Sequence, residues 1–205
     1  YTRFTNQLKV AGVEGERLNG TQQNLFETAQ KYGVELESLG TLHGRLLQSQ
    51  RELNATSGQM IQFTNGVAAA VKIQGATTEQ SRGALMQLTQ ALGGEIVRAE
   101  EFNSINEGAR PILQAVANGI DRYGGSIAKL RREVINGNVT SKEFFAGFLR
   151  GSGQLEEKAK SANLTIGASF TTLNNALGMY IGKTDEAYSV TERISMGIAA
   201  LANNL

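Results

Sequence analysis

Side-chain catalysis draws mostly on histidine, cysteine and convergent carboxylates, and this 205-residue chain holds one histidine, His43, and no cysteine. Within the chain that excludes a thiolate nucleophile, a disulfide framework and a multi-histidine metal centre. Leu39, Leu42 and Leu46 flank His43 at helical spacing, so it reads as a residue of a packed helix rather than a general base. Glu100 with Glu101, and Glu156 with Glu157, are adjacent carboxylates. Neighbours on a helix diverge by about 100° and do not face one substrate, so both pairs read as solvated helix charges. Gly178 to Thr184 resembles a phosphate-binding loop, but its glycines bracket three residues where that loop needs four, and a helical rather than a strand pattern precedes it. It reads as a helix ending at Gly182. The glycines at Gly12 to Gly15 and Gly151 to Gly153 also fail the dinucleotide fingerprint. Lys129, Arg131 and Arg132, with Arg122 nearby, form the most basic neighbourhood. No aromatic ladder interleaves it, so the outer face of an amphipathic helix accounts for it better than single-strand binding.

Composition points the same way. Twenty basic and 19 acidic residues leave a formal charge of +1, so no strong field draws the chain to nucleic acid or anionic lipid. The hydrophobic content of 40% is that of a globular protein with a sizeable core. The most apolar runs, Gly66 to Val71 and Gly197 to Ala202, are far shorter than the roughly 20 residues a spanning helix needs. A chain opening on Tyr1 is expected to begin inside a longer protein, with any targeting segment elsewhere. No catalytic residue, cofactor, metal or small-molecule substrate is expected.

Apolar spacing then sets the elements. One proline against 24 glycines suggests many helices ended by glycine. The pattern predicts helices over Thr21 to Tyr32, stopped by Gly33; over Glu35 to Asn54; from a Ser57 cap through Phe63 and Val71 to Gly75; and from a Thr77–Gln80 capping box through Leu88 to Gly93 and Gly94. Short helices follow over Glu100 to Glu107, from Pro111 to Gly119, and from a Ser126 cap to Gly137 with Ile127, Leu130, Val134 and Ile135. Thr140 or Ser141 caps a segment whose Phe144, Phe145 and Phe148 read as core. Glu156 to Asn163 reads as a hinge or surface helix. Ile166, Phe170, Leu173, Leu177 and Ile181 then form one stripe, and Val190, Ile194, Ile198, Leu201 and Leu205 another. Strand signals are weak, although Glu95 to Arg98 is a candidate for local pairing. Gly40 with Gly44, Gly147 with Gly151, and Gly178 with Gly182 have the spacing that lets helix backbones approach closely. The expected fold is all-α, with cores that include Leu46, Phe63, Leu88, Phe102 and Leu177.

Four segments in order carry a family resemblance: Lys72 to Thr77 with Ala84 to Leu92; Arg98 to Ile105 with Glu107 and Pro111; Gly125 to Arg131 with Gly137 to Thr140; and Leu173 to Leu177 before Tyr180 to Gly182. Over roughly Leu25 to Gly182 the chain resembles the N-terminal domain of tape-measure proteins from long-tailed phages and prophages. The signature residues are Glu101, Phe102, Asn103, Ser104 and Ile105. Phe102 and Ile105 are expected to anchor a short helix in the core, while Asn103 and Ser104 bond local backbone. The family supplies no catalytic residue to transfer.

The resemblance implies a non-enzymatic structural protein of the virion tail, present in the host cytoplasm during assembly. It sets tail length and leaves ahead of DNA, with tail tube and tail-tip proteins, tail assembly chaperones and further copies of itself as partners. No specific nucleic-acid site is implied, and membrane contact is at most transient. The expected organisation is a lead-in over 1–20, a helical domain over 21–185 and a C-terminal amphipathic helix over 186–205. The alternative is a helical secreted effector or pore-forming domain, motivated by the last apolar stripe. A cell-wall hydrolase would require peptidoglycan turnover, which is not expected.

Overall fold

The structure is a computed structural model that describes residues 2–183. Among these residues it is all-α: α1 (Thr2–Val10), α2 (Gly15–Tyr32), α3 (Leu36–Gln48), α4 (Gln50–Leu53), α5 (Ser57–Gln74), α6 (Thr78–Gly93), α7 (Ala99–Gly108), α8 (Arg110–Gly119), a 3-10 turn at Asp121–Tyr123, α9 (Ile127–Ile135), α10 (Ser141–Gly151), α11 (Leu155–Ser161) and α12 (Ile166–Lys183). The stripe Val190 to Leu205 lies outside the described residues.

Short-range chemistry sets most boundaries. Thr77 accepts a hydrogen bond from the Gln80 amide while the Gln80 side chain accepts from the Thr77 amide, which closes the start of α6 as its spacing predicts. Pro111 sits in the first turn of α8, where a missing N–H costs nothing. Ser126 and Thr140 cap α9 and α10. Gly33 ends α2 at φ 69°, a conformation an L side chain resists.

Three boundaries differ from the sequence expectation. Thr56, not Ser57, caps α5, because Thr56 has Gln59 at the reciprocal position. The run Glu35 to Asn54 is broken at Ser49 into α3 and α4, and Asn54 closes the second piece at φ 52°. Helix α2 starts at Gly15, and α1 precedes it with Phe4 and Leu8 at 2% and 0% exposure.

The core is continuous, with Leu46, Phe63 and Leu88 fully buried and Phe102 nearly so. Phe63 stacks on Phe145 at 4.9 Å between ring centroids and meets Phe148 at 4.6 Å, where such pairs add to plain area burial. Ile135, expected on a buried stripe, is exposed instead, and so is Ile61 on α5. Helices α8 and α10 cross at close range. A Cβ on Gly119 would run into the Gly147 carbonyl, and one on Gly151 into the Ala115 carbonyl, so the spacing of Gly147 and Gly151 does bring backbones into contact. Gly40 likewise seats the Phe4 ring, whereas Gly178 has nothing within 4 Å.

The expected local pairing is present as a single antiparallel bridge between Ile96 and Thr140. The Val97 amide donates to Val139 and the Ser141 amide to Glu95, tying the α6–α7 connection to the start of α10.

Candidate functional site

The signature segment lies beside that bridge. Helix α7 places Phe102 and Ile105 inward at 2% and 0% exposure, as helical spacing requires of core anchors. Glu101 departs from expectation: it is buried, and its carboxylate accepts from the Arg98 amide at 2.8 Å, closing the helix start. Burial raises its pKa above the ordinary carboxylate value, against the lowering effect of the Arg98 amide. Glu100, next to it, is exposed. Asn103 is exposed and Ser104 half-buried, and neither side chain bonds backbone among the described residues. The signature is therefore a joint: a cap and two anchors that fix α7 against α6 and α8.

The buried polar groups around the body do the same work elsewhere. Thr64 donates its hydroxyl proton to the Met60 carbonyl at 2.8 Å, so at 3.1 Å it accepts from His43 Nδ1–H, and the pair joins α3 to α5. Burial lowers the His43 pKa from 6.5 to about 4, keeping the ring neutral. Ser141 Oγ is shared between the Ala91 and Gly94 carbonyls, holding the start of α10 on the end of α6.

Helix α12 contradicts its sequence reading most clearly. Its apolar stripe faces outward, with Ile166, Phe170 and Leu173 at 80%, 62% and 42% exposure. Leu177 and Ile181 are only half-buried, so Leu177 is not the core residue expected. The face toward the body carries Thr171, Asn175 and Met179. Asn175 Oδ1 accepts from the Leu36 amide at 3.0 Å, and its Nδ2 donates to the Val34 carbonyl at 2.7 Å. Gln30 Nε2 donates to the Thr172 carbonyl at 2.9 Å, and Thr171 meets Thr78 at 3.4 Å. Asn175 thus bonds both polar backbone groups of the α2–α3 connection that point at it. No sequence signal singled it out beyond its place in the resemblance's last segment.

The other candidates fall where solvated or packed residues belong. Lys129, Arg131 and Arg132 lie on the outer face of α9, and Arg122 pairs with Glu143 at 2.8 Å and donates to the Tyr123 hydroxyl. Glu156 and Glu157 face Lys31 and Lys160. The glycines of the phosphate-loop lookalike lie inside α12. Among the described residues no cluster of three or more histidine or carboxylate side chains is disposed to hold a metal, and no helix is long and apolar enough to cross a membrane.

His43, Glu101, Ser141 and Asn175 all close a helix end or hold one helix to another, so the arrangement defines an all-α structural domain. The chain belongs to the tape measure protein family, whose model matches residues 1–186. That makes it a structural component of a phage tail. No curated protein and no solved structure matches it.

Proposed function

We propose that this segment is a folded fitting at one end of the tape measure, required for tail assembly and DNA delivery, while tail length is graduated in another part of the protein. The family membership of residues 1–186 carries the tail role. The subdivision of the chain supports the division of labour. Helix length tracks residue count at about 1.5 Å per residue, so a ruler needs one long helix. Here the longest described helices, α2, α5 and α12, have 18 residues each. A compact chain of this length has a radius of gyration near ~17 Å, and its size grows only slowly with residue number.

A body of that size suits a tail end, contacting tube and tip proteins after delivery by tail assembly chaperones in the host cytoplasm, and it unfolds if it is to pass along the tube. Several copies act together. In this reading the helical body described above is the docking part, and α1 belongs to it through the buried Phe4 and Leu8. No catalytic step is assigned.

Deleting α6 in frame is expected to abolish tails or DNA delivery, because the deletion opens the core at Leu85, Leu88 and Leu92. Functional tails shortened by about 1.5 Å for each residue removed would show instead that this segment is part of the ruler.

A further inference from the structure

We propose that the cleft between α8 and α11 is a docking site for an acidic, extended segment of another protein. The inference goes beyond the tail role and does not depend on it.

Helix packing makes the cleft. Helix α11 lies on α5, and α8 lies on α10 as well as on α5, while the connection 152–154 leads the chain from α10 into α11. A gap of about 570 Å³ is left between α8 and α11 over the end of α5. Ile73, Ala115 and Leu155 give it an apolar floor. The backbone of Gly151 lies against the Ala115 carbonyl and fixes one wall, whereas a Cβ on Gly153 would meet nothing within 4 Å, so that end is open to a passing chain.

Charge selects the occupant. Arg110, Arg150 and Lys158 line the cleft, all three exposed, and none of them pairs with a carboxylate among the described residues. The acids of α11 are engaged elsewhere, Glu156 with Lys31 at 3.6 Å and Glu157 with Lys160 at 2.6 Å. Arg150 Nε donates to the Gly119 carbonyl at 2.7 Å, which holds the guanidinium at the wall and leaves its terminal nitrogens for a partner. A concave surface lined by one sign of charge concentrates the opposite sign. The whole chain carries only +1, so this attraction is local.

The rest of the lining identifies the class of anion. Gln74, Gln114 and Gln154 offer amides that pair with peptide groups, and the floor accepts an aliphatic side chain. A single nucleic-acid strand favours aromatic platforms for its bases, and the described lining has none. A bilayer presents a broad charged surface that does not enter a cleft. A peptide with an apolar residue between its carboxylates matches both the rim and the floor.

The test uses the 205-residue chain and a fluorescein-labelled peptide, Glu-Asp-Leu-Asp-Glu-amide, read by anisotropy at low ionic strength. Saturable binding that weakens with salt is expected, with no binding of the neutral Gln-Asn-Leu-Asn-Gln-amide. Arg110→Glu with Lys158→Glu should lower the affinity by about tenfold or more. Lys129→Glu with Arg131→Glu, an equal charge change on α9, should leave it within about twofold. Arg110→Gln with Lys158→Gln keeps the side-chain stems and should give an intermediate loss, which guards against a misfolded charge-reversal variant. Absence of saturable binding up to about 1 mM peptide would overturn the proposal. So would equal losses in the α8–α11 and α9 variants, or an oligothymidylate of the same charge that binds as tightly as the peptide. A salt-sensitive dimer of the chain, lost in Arg110→Glu with Lys158→Glu, would assign the cleft to a second copy and overturn it as well.

Discussion

Two helices of equal length, α5 and α12, are attached to the same body by opposite means. Helix α5 buries Phe63, Val67 and the run Ala68 to Ala70 completely, and its Phe63 ring packs between Phe145 and Phe148. Helix α12 instead presents Asn175 and Thr171 inward and leaves Phe170 outside. Apolar burial is non-directional and scales with area, so α5 is secured by many small contributions spread along its length. A polar docking face is held by a few directional bonds whose value lies mainly in not leaving partners unsatisfied. The lesson is that α5 leaves only when the whole body unfolds, whereas α12 has the make-up of a locally opening unit.

Truncation in the body should show the largest effect. Phe63→Ala is expected to lower unfolding free energy by roughly 3 to 5 kcal/mol in a denaturant titration, with Phe102→Ala in the same range. A loss below about 1 kcal/mol at either position would mean that the core repacks around the cavity and would erase the contrast with α12.

Acid should weaken the body next. The folded state holds His43 neutral, with a pKa near 4 against 6.5 when free. Its stabilising contribution is full above pH 6.5 and is lost as the pH falls toward about 4, at most roughly 3 kcal/mol. Glu101 acts with the opposite sign: its raised pKa makes its contribution greatest at low pH and reduces it as the pH rises through the carboxylate range. Titrations of the parent and of His43→Gln at pH 7 and pH 4.5 isolate the histidine, and the variant should lose less stability between them.

Asn175→Ala comes third, leaving the Leu36 amide and the Val34 carbonyl without their partner. A cost of about 1 to 3 kcal/mol is expected, appearing as faster proteolysis within α12 while the melting of the body changes little. Equal loss in both would mean that α12 is part of the cooperative core. The smallest effect belongs to Arg82→Ala, which removes a bidentate pair to Glu35 at 2.6 and 3.0 Å. The Arg82 side chain is 59% exposed, so solvent screens the pair and the loss should stay below about 1 kcal/mol.

How much of this was legible in the sequence follows the range of the interaction. The Thr77–Gln80 box, Pro111 at the start of α8 and Gly75 after α5 are local, and their spacing announced them. Glu101 hid its cap because Arg98 stands where such boxes usually carry serine or threonine, so the pair Glu100–Glu101 read as two solvated charges. The face of α12 was not readable at all. Helical periodicity locates a stripe but does not say which side meets the body, and Asn175 finds its partners in the distant α2–α3 connection. The spacing of Gly147 and Gly151 marked one side of the α8–α10 crossing, while Gly119 on the other side gave no signal without the fold.

Native-state hydrogen exchange tests the central contrast directly. Amides in the middle of α12, from Phe170 to Ala176, should exchange through an opening whose free energy is lower than that of the α5 amides from Thr64 to Val71, and it should drop further in Asn175→Ala while the α5 values hold. A single common free energy for both helices, shifted equally by that substitution, would contradict the account.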